Sequence, residues 1–350
     1  MDGSQAVNKF GNSYAYSPVD NWKNFYRTGL SNQTSLAVSG SDEKTSFRLG
    51  LNNMYEGSIL PNAKSNQRGA NLNTTYKITP KVQLGINANY MFEFVDNRAN
   101  LSDGNGNTNA SLLYLANGYD VRWLEGEVDQ FGKELLPGDN VYFNNPYYLQ
   151  YRKFNKSTKK GLTGGFNLRY DITDWLYVQG AATRDGFNLA FKQVQPKGAA
   201  ADPNGYINEY NKEFEETNFN YLIGFKKKVS DFSISATVGG NSQKTRDQIW
   251  GTDGGIRPFI VDGVYNTGNV AAGTRTFKKD FSEYQVRSIY GTADFGYKDF
   301  LFLNFSARND WYSTLNPESN GYVYPSVSLS YVFSDHLKLP EWINMGKLRL

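Results

Sequence analysis

The segment 103–107, Asp-Gly-Asn-Gly-Asn, has residue types and a spacing that suit calcium binding. It places oxygen-bearing side chains at alternate positions, as the opening of an EF-hand loop does. Such a loop requires glycine at its sixth position and glutamate at its twelfth, but Thr108 and Tyr114 stand there. The sequence therefore favours a flexible Asn/Gly loop, and we predict no metal site and no cofactor.

Three acidic residues, Glu213, Glu215 and Glu216, come nearest to a catalytic carboxylate pair. Glycosidases use two carboxyl groups that flank the bond they cleave, but adjacent acids near the start of a strand are more typical of a solvated rim. The chain has no cysteine and one histidine, His336. This composition excludes a thiolate nucleophile and argues against a serine–histidine relay. We predict that the protein is not an enzyme.

The long stretch after Phe94 is the richest in binding chemistry. Its aromatic residues, interleaved with Asn, Asp and Gln, include Tyr114, Tyr119, Trp123, Tyr142, Phe143, Tyr147, Tyr148 and Tyr151. Aromatic faces stack on sugar rings, and amide and carboxylate groups bond to hydroxyls. The alternative is that these rings pack the loop against its own barrel or against a partner. We take Trp123, Tyr142, Tyr147 and Tyr148 as the candidate contacts with substrate or partner.

The elements that must position these residues are β-strands, because apolar and polar side chains alternate with a period of two. The alternation is clear in Val82–Phe94 and in the two runs within Phe300–Phe333. The predicted strands are Gln33–Ser39, Lys44–Glu56, Gln67–Ile78, Val82–Phe94, Leu162–Asp171, Trp175–Ala190, Phe214–Lys228, Phe232–Gln248, Phe281–Tyr297, Phe300–Asp310, Tyr322–Phe333 and Gly346–Leu350. Residues 1–32 are predicted to lead into this region.

The alternation assigns two faces to the predicted sheet. The residues expected to face lipid are Leu84, Ile86, Leu301, Leu303, Val327 and Leu329. The residues expected to face a lumen are Arg48, Asn87, Asn89, Arg169, Arg308 and Asp310. The second set would line either a substrate path or the interface with a plug, and the sequence leaves both open.

The connections between the predicted strands are short and long in turn, which is typical of an outer-membrane barrel with tight periplasmic turns and long extracellular loops. The mean hydropathy of −0.59 fits such a barrel, because only every second residue of a strand faces lipid. The net charge of +3 argues against a nucleic-acid surface. We predict an all-β, antiparallel, up-and-down transmembrane barrel, with about 11–12 strands in this chain.

Two stretches of the sequence resemble a known family. NWKNFYRTG at Asn21–Gly29, followed by SLAVSGSDEKTSFRLGLNNMYEGSILPN at Ser35–Asn62, looks like the early barrel of SusC/RagA-like TonB-dependent outer-membrane transporters. The segment from Ser306 to Asp335, followed by LPEWINMGKLRL at Leu339–Leu350, is similar to the mid-barrel signature of that family. The resemblance runs in order from Asn21 to the end of the chain.

The resemblance implies a plugged barrel of about 22 strands in the outer membrane of a Gram-negative bacterium. It also implies a SusD-like surface lipoprotein as a lid, contact with TonB through a missing N-terminal region, and uptake of oligosaccharides or, in some members, peptides. The chain is then an internal piece, 33–350, of that barrel, without the plug and the C-terminal strands. The alternatives are a passive porin or adhesin barrel and a secreted all-β carbohydrate-binding or hydrolase domain.

A partial wall has a testable geometry. Strands whose registers suit a larger circumference should not close into a small barrel. We therefore expect a curved, open sheet in which Gln33–Ser39 and Gly346–Leu350 do not pair.

Overall fold

The computed structural model describes residues 5–7, 11, 13–15, 17–101, 106–340 and 342–350. Its fold is almost entirely antiparallel β-structure, in which a large sheet follows a small two-stranded one. The strands are β1 Gln5–Val7, β2 Ser13–Ala15, β3 Leu30–Ser41, β4 Thr45–Gly57, β5 Lys64–Thr79, β6 Val82–Asp96, β7 Phe154–Asp171, β8 Leu176–Gln195, β9 Tyr206–Val229, β10 Phe232–Thr252, β11 Phe277–Tyr297, β12 Leu301–Tyr312, β13 Gly321–Val332 and β14 Lys347–Arg349. The α-helices are α1 Asn21–Phe25, α2 Thr108–Leu113 and α3 Pro146–Tyr151. Short 3-10 turns lie at Val121–Leu124, Thr267–Asn269, Ala272–Thr274 and Phe333–Asp335.

The large sheet has 12 strands that neighbour one another in chain order, from β3 at one edge to β14 at the other. Each strand pairs antiparallel with the next, which is an up-and-down wall. Among the described residues β3 and β14 do not pair, so the sheet is open. This confirms the predicted fold class and the expected lack of closure. β3 begins at Leu30, inside residues 1–32, which the sequence predicted to lead into the barrel.

One rim of the sheet is made of tight turns whose residues suit them. The Asp42 carboxylate accepts hydrogen bonds from the backbone N–H groups of Lys44 and Thr45, at 2.8 and 2.6 Å. Ser230 and Lys298 adopt φ values of 53° and 47°, which polar residues in short turns tolerate. The opposite rim carries the long connections.

The register places all the predicted lipid-facing residues on one face. Leu303 lies directly opposite Leu329 on β13, and Ile86 lies opposite Phe166 on β7. This face carries a wide band of large apolar side chains that nothing in the described chain covers. Its exposed members include Leu36, Val38, Leu49, Leu51, Ile86, Phe166, Leu168, Phe219, Ile223, Val238, Ile289, Phe295, Phe305, Val323 and Val327. We call this surface the apolar band.

The strands on the long-loop side extend well beyond their predicted ends. β7 begins at Phe154 rather than Leu162, and β9 begins at Tyr206 rather than Phe214. β9 has 24 residues, whereas about 9–11 residues cross a bilayer in a tilted strand. The sequence missed these extensions because both of their faces are largely polar, so the hydrophobic alternation fades where the apolar band ends.

The long connections pack into two buried clusters at this rim. The first joins α1 and the β4–β5 connection to the β6–β7 loop, and its buried members are Phe25, Leu60, Ala63, Leu112, Leu115, Val121, Leu124 and Tyr147. The second joins the ends of β8 and β9 to the β10–β11 loop, and its buried members are Val194, Ile207, Ile256, Phe259 and Val270. No described helix is both long and apolar enough to cross a membrane.

Candidate functional site: the rim loops and the polar face of the sheet

The six residues predicted to face a lumen share the face opposite the apolar band. Arg48 is opposite Asn73 on β5, and Asn73 is opposite Asn87 on β6. By the same strand pairing, Asn89, Arg169, Arg308 and Asp310 fall on this face. We call it the polar face.

On part of the polar face, asparagine side chains lie over glycines of the neighbouring strand and fill the space above them. A methyl group added at Gly85 would collide with the side-chain amide of Asn167. The same holds for Gly50 beneath Asn71, and for Gly69 beneath Asn52. The result is a flat surface of amide groups that offers both donors and acceptors.

Three charged members of the polar face, Arg308, Asp310 and Arg169, are held by near neighbours. The Arg308 guanidinium donates to an Asp310 carboxylate oxygen at 2.6 Å and to the Ser288 hydroxyl at 2.7 Å. Arg169 donates to Asp171 at 2.9 Å. These pairs fix the side chains along their own strand pair, so they shape the wall rather than converge on one point.

The loop between β6 and β7 forms a small folded unit at the rim. Asn145 is fully buried and caps α3: its side-chain oxygen accepts from the Tyr147 N–H at 2.8 Å. Its side-chain amide donates to the Leu124 carbonyl at 2.9 Å. Pro146 follows at the first helical position, where its missing N–H costs nothing. One asparagine therefore joins two segments that are distant in sequence.

A buried carboxylate ties this unit to the β8–β9 connection. Glu134 accepts from the Asn145 backbone N–H at 2.7 Å, from the Asn144 side-chain amide at 3.1 Å and from the Ala200 backbone N–H at 2.8 Å. Burial raises the pKa of Glu134, although the three donors and the charge of Lys153 oppose that rise. Burial lowers the pKa of Lys153, and Glu134 opposes that change.

The four aromatic candidates fall into two pairs. Tyr148 and Tyr147 are only 1% and 8% exposed. The Tyr147 ring meets Phe25 edge to face at 5.0 Å, and the Tyr148 hydroxyl donates to the Pro196 carbonyl at 3.4 Å. Burial raises the pKa of both phenols. α3 thus turns both rings into the loop core, and their contact with substrate or partner stays a prediction.

The other two candidates keep some surface. Tyr142 is 70% exposed. Trp123 is half-buried, with its ring edge to face against Tyr119 at 4.9 Å. Ligand contact by this pair stays a prediction. Of the possible calcium loop, residues 103–105 lie outside the described part of the chain. In the part that is described, no three His, Cys, Asp or Glu side chains gather as metal ligands.

The structure adds a group of rings that the sequence reasoning did not single out. Phe187 stacks on Phe214 at 5.5 Å, and Phe191 stacks on Tyr210 at 4.8 Å. All four lie on the polar face near the long-loop rim, and Lys159 lies 4.2 Å from the Phe187 ring centroid. The spacing of Phe187 and Phe191 was a usable signal, because it places both on one side of β8.

Two of the three acidic residues, Glu215 and Glu216, are bonded to neighbouring strands. Glu215 and Glu216 are consecutive in β9, so they point to opposite faces. Glu215 accepts from Arg184 at 2.7 Å, and Glu216 accepts from the Thr245 hydroxyl at 3.2 Å. This arrangement does not bring Glu215 and Glu216 together around one bond.

The chain is similar to known proteins in sequence and in structure. No protein-family model matches the chain. It is 20% identical over 322 residues to TonB-dependent receptor P26 of Formosa agariphila, covering 90% of the chain and 31% of the relative. It is also 20% identical over 335 residues to TonB-dependent receptor P3 of the same organism, covering 92% and 32%. The chain thus spans about a third of the length of these relatives.

Two groups of solved structures share the fold. The RagAB peptide transporter matches with a TM-score of 0.76 at 15% identity, over 95% of this chain and 38% of that one. The ferripyoverdine receptor of the Pseudomonas aeruginosa outer membrane matches with a TM-score of 0.58 at 14% identity, over 87% and 39%.

The open, up-and-down wall with its exposed apolar band and one rim of long loops has the fold of a TonB-dependent receptor barrel, and it belongs in the outer membrane of a Gram-negative bacterium. Within that class the chain is SusC/RagA-like, as its two sequence stretches predicted.

Proposed function

We propose that the chain forms wall and outer rim of a TonB-dependent active importer of oligomeric nutrients. The observation that carries this is the folded rim loop, with its own buried core, at the long-loop end of a flat polar wall. The similarity to curated TonB-dependent receptors supports energy coupling in the complete protein. A connector that only closed the wall would not need a core of its own.

The proposed partner at the rim is a SusD-like surface lipoprotein. The rim exposes apolar side chains that lie outside the apolar band, among them Phe131 at 76%, Tyr142 at 70% and Ile260 at 61%. Contact with TonB is assigned to a region outside this chain. The similarity in fold to RagAB is consistent with a two-component importer.

The proposed substrates are oligosaccharides, or alternatively peptides. Stacked rings and amide groups suit the alternating apolar and hydroxylated faces of a sugar. The structurally similar RagAB is named as a peptide transporter, which supports the second class. Both ligand classes are long and flexible, so both gain from repeated weak contacts along a wall.

The test uses the full-length receptor in its own outer membrane. Uptake of labelled oligosaccharides and peptides is measured with and without TonB, in wild type and in Trp123→Ala and Tyr142→Ala variants. Uptake of one class should require TonB and fall several-fold in at least one variant. Tyr170→Ala is the matched control, because that ring lies on the apolar-band face at the tight-turn rim.

Each contrary result has a clear reading. Uptake that persists without TonB would favour the passive porin. Full uptake in both rim variants would show that their rings only pack the loop.

A further inference from the structure

The exposed guanidinium of Arg287 stands at the edge of the apolar band. Arg287 precedes Ile289 on the same face of β11, and it lies opposite Ser242 on β10 and Trp311 on β12. Ile289 begins the lipid-facing run of β11, while Gln285 on the other side of Arg287 is polar. This position is on the long-loop side, which is the level of the outer-leaflet headgroups. In the described chain, the Arg287 guanidinium has neither an ion-pair nor a hydrogen-bond partner.

Two aromatic rings border the surface around Arg287. Tyr221 lies over Gly240, where an added methyl group would come within 2.4 Å of its hydroxyl. Trp311 leans over Gly321, where an added methyl group would come within 3.1 Å of the indole. Tyr221 therefore leans over β10, toward the strand that carries Arg287, whereas Trp311 leans over β13, away from it. The shallow concavity between them is lined by Tyr221, Ser242, Gln285, Arg287, Ile289 and Trp311.

Positive charges outnumber negative charges next to this concavity. Lys244 and Arg246 share a single carboxylate, Glu283, at 2.9 and 2.8 Å. All three lie on the same face as Arg287 and further from the apolar band. Lys244 is two residues beyond Ser242, and Arg246 and Glu283 are four residues beyond Ser242 and Arg287. Arg246 also lies opposite Glu215, which pairs with Arg184, so of the four cations Arg184, Lys244, Arg246 and Arg287 the last is the one without a carboxylate partner in the described chain. An exposed, unpaired arginine beside indole and phenol rings at a bilayer boundary suits a phosphate with an attached acyl chain.

We propose that the Arg287 concavity binds the phosphorylated headgroup of an outer-leaflet glycolipid. The guanidinium would hold the phosphate, with Lys244 and Arg246 adding positive potential. The acyl chains would run along the apolar band below Ile289. The site faces away from the polar face, so it is independent of the transport proposed above.

The experiment is native mass spectrometry on the full-length receptor in detergent. The probe is a multiply acylated, bis-phosphorylated glucosamine disaccharide, compared with the same lipid without its phosphates. Wild type should bind the phosphorylated lipid more tightly, and Arg287→Gln should bind it about tenfold more weakly. Arg48→Gln is the matched control, because it removes an exposed arginine from the polar face and should leave binding unchanged. Heat-modifiable migration confirms that both variants are folded.

Four results would overturn the proposal. They are wild-type binding in Arg287→Gln, an equal loss in Arg48→Gln, equal affinity for the lipid without phosphates, and displacement of the lipid by an equal concentration of inorganic phosphate. The last would indicate a site for free anions. A receptor dimer that dissociates in Arg287→Gln, with lipid binding intact, would assign the surface to a second copy.

Discussion

The apolar band and the rim loops use large apolar side chains in opposite ways. In the band the large residues are the exposed ones, such as Val327 at 62% and Phe166 at 55%. In the rim loops they are the hidden ones, such as Leu124 at 0% and Tyr148 at 1%. The difference lies in the solvent: lipid surrounds the band, whereas water surrounds the rim and drives apolar groups together. Large apolar side chains of the same chain are therefore exposed in the band and buried in the rim loops. The change occurs where the strands extend beyond the band.

The largest effect should come from creating a cavity in the buried core of the β6–β7 loop. Tyr148→Ala removes a fully buried ring and should destabilise the folded loop by about 3–5 kcal/mol. Protease cleavage within the β6–β7 loop of the full-length receptor measures this. Tyr142→Ala, at an exposed ring of the same loop, should leave cleavage unchanged. Equal cleavage in the two variants would show that the rim has no core of its own.

The next effect tests the band. Leu329 faces lipid, so Leu329→Arg should lower the free energy of unfolding by about 2–4 kcal/mol if the residue lies near the bilayer midplane. Ser328→Arg is one residue away on the polar face and should cost far less. Unfolding titrations of the full-length receptor in liposomes compare the two. Equal losses would remove the distinction between the faces.

A smaller effect should come from the buried carboxylate of the rim. Because the folded loop raises the pKa of Glu134, its folded form binds protons more readily than its unfolded form does. Loop stability should therefore fall as pH rises from the ordinary carboxyl pKa through the raised one. Hydrogen exchange, corrected for intrinsic rates, measures this slope. Glu134→Gln should remove the slope, and it should cost about 1–3 kcal/mol because one N–H donor loses its acceptor.

The smallest effect should come from the charged pairs of the strand extensions. Glu283→Gln breaks contacts with Lys244 and Arg246, but these groups are solvated and such pairs contribute little. Unfolding of the full-length receptor should be the same as in wild type. A clear loss of stability would show that the extensions depend on their charges and not only on backbone pairing.

The sequence predicted the band well and the rim poorly, for the same physical reason. Alternation identifies a strand only where the two faces meet different solvents, as at Leu301–Ala307, where the prediction and β12 agree. Above the band both faces of β9 meet water, so the start at Tyr206 left no periodic signal. The two faces and the tight-turn rim followed directly from alternation and connection lengths, whereas the open edges followed from the resemblance to a larger barrel.

The contact residues of the loop were harder to predict, because composition does not record direction. Tyr142 and Tyr148 look equivalent in the sequence, yet one is exposed and the other is buried. The difference is set by α3, where the Asn145 cap and Pro146 start a helix that turns Tyr147 and Tyr148 inward. An Asn-Pro pair ahead of two tyrosines is a local signal that would have predicted this turn.

The asparagines that lie over glycines have a consequence for anything that slides along the polar face. Gly85→Ala would lift Asn167 away from the wall and create a local step. In the importer proposed above, this arrangement of asparagines over glycines would give a passing solute amide donors and acceptors at several points of the wall.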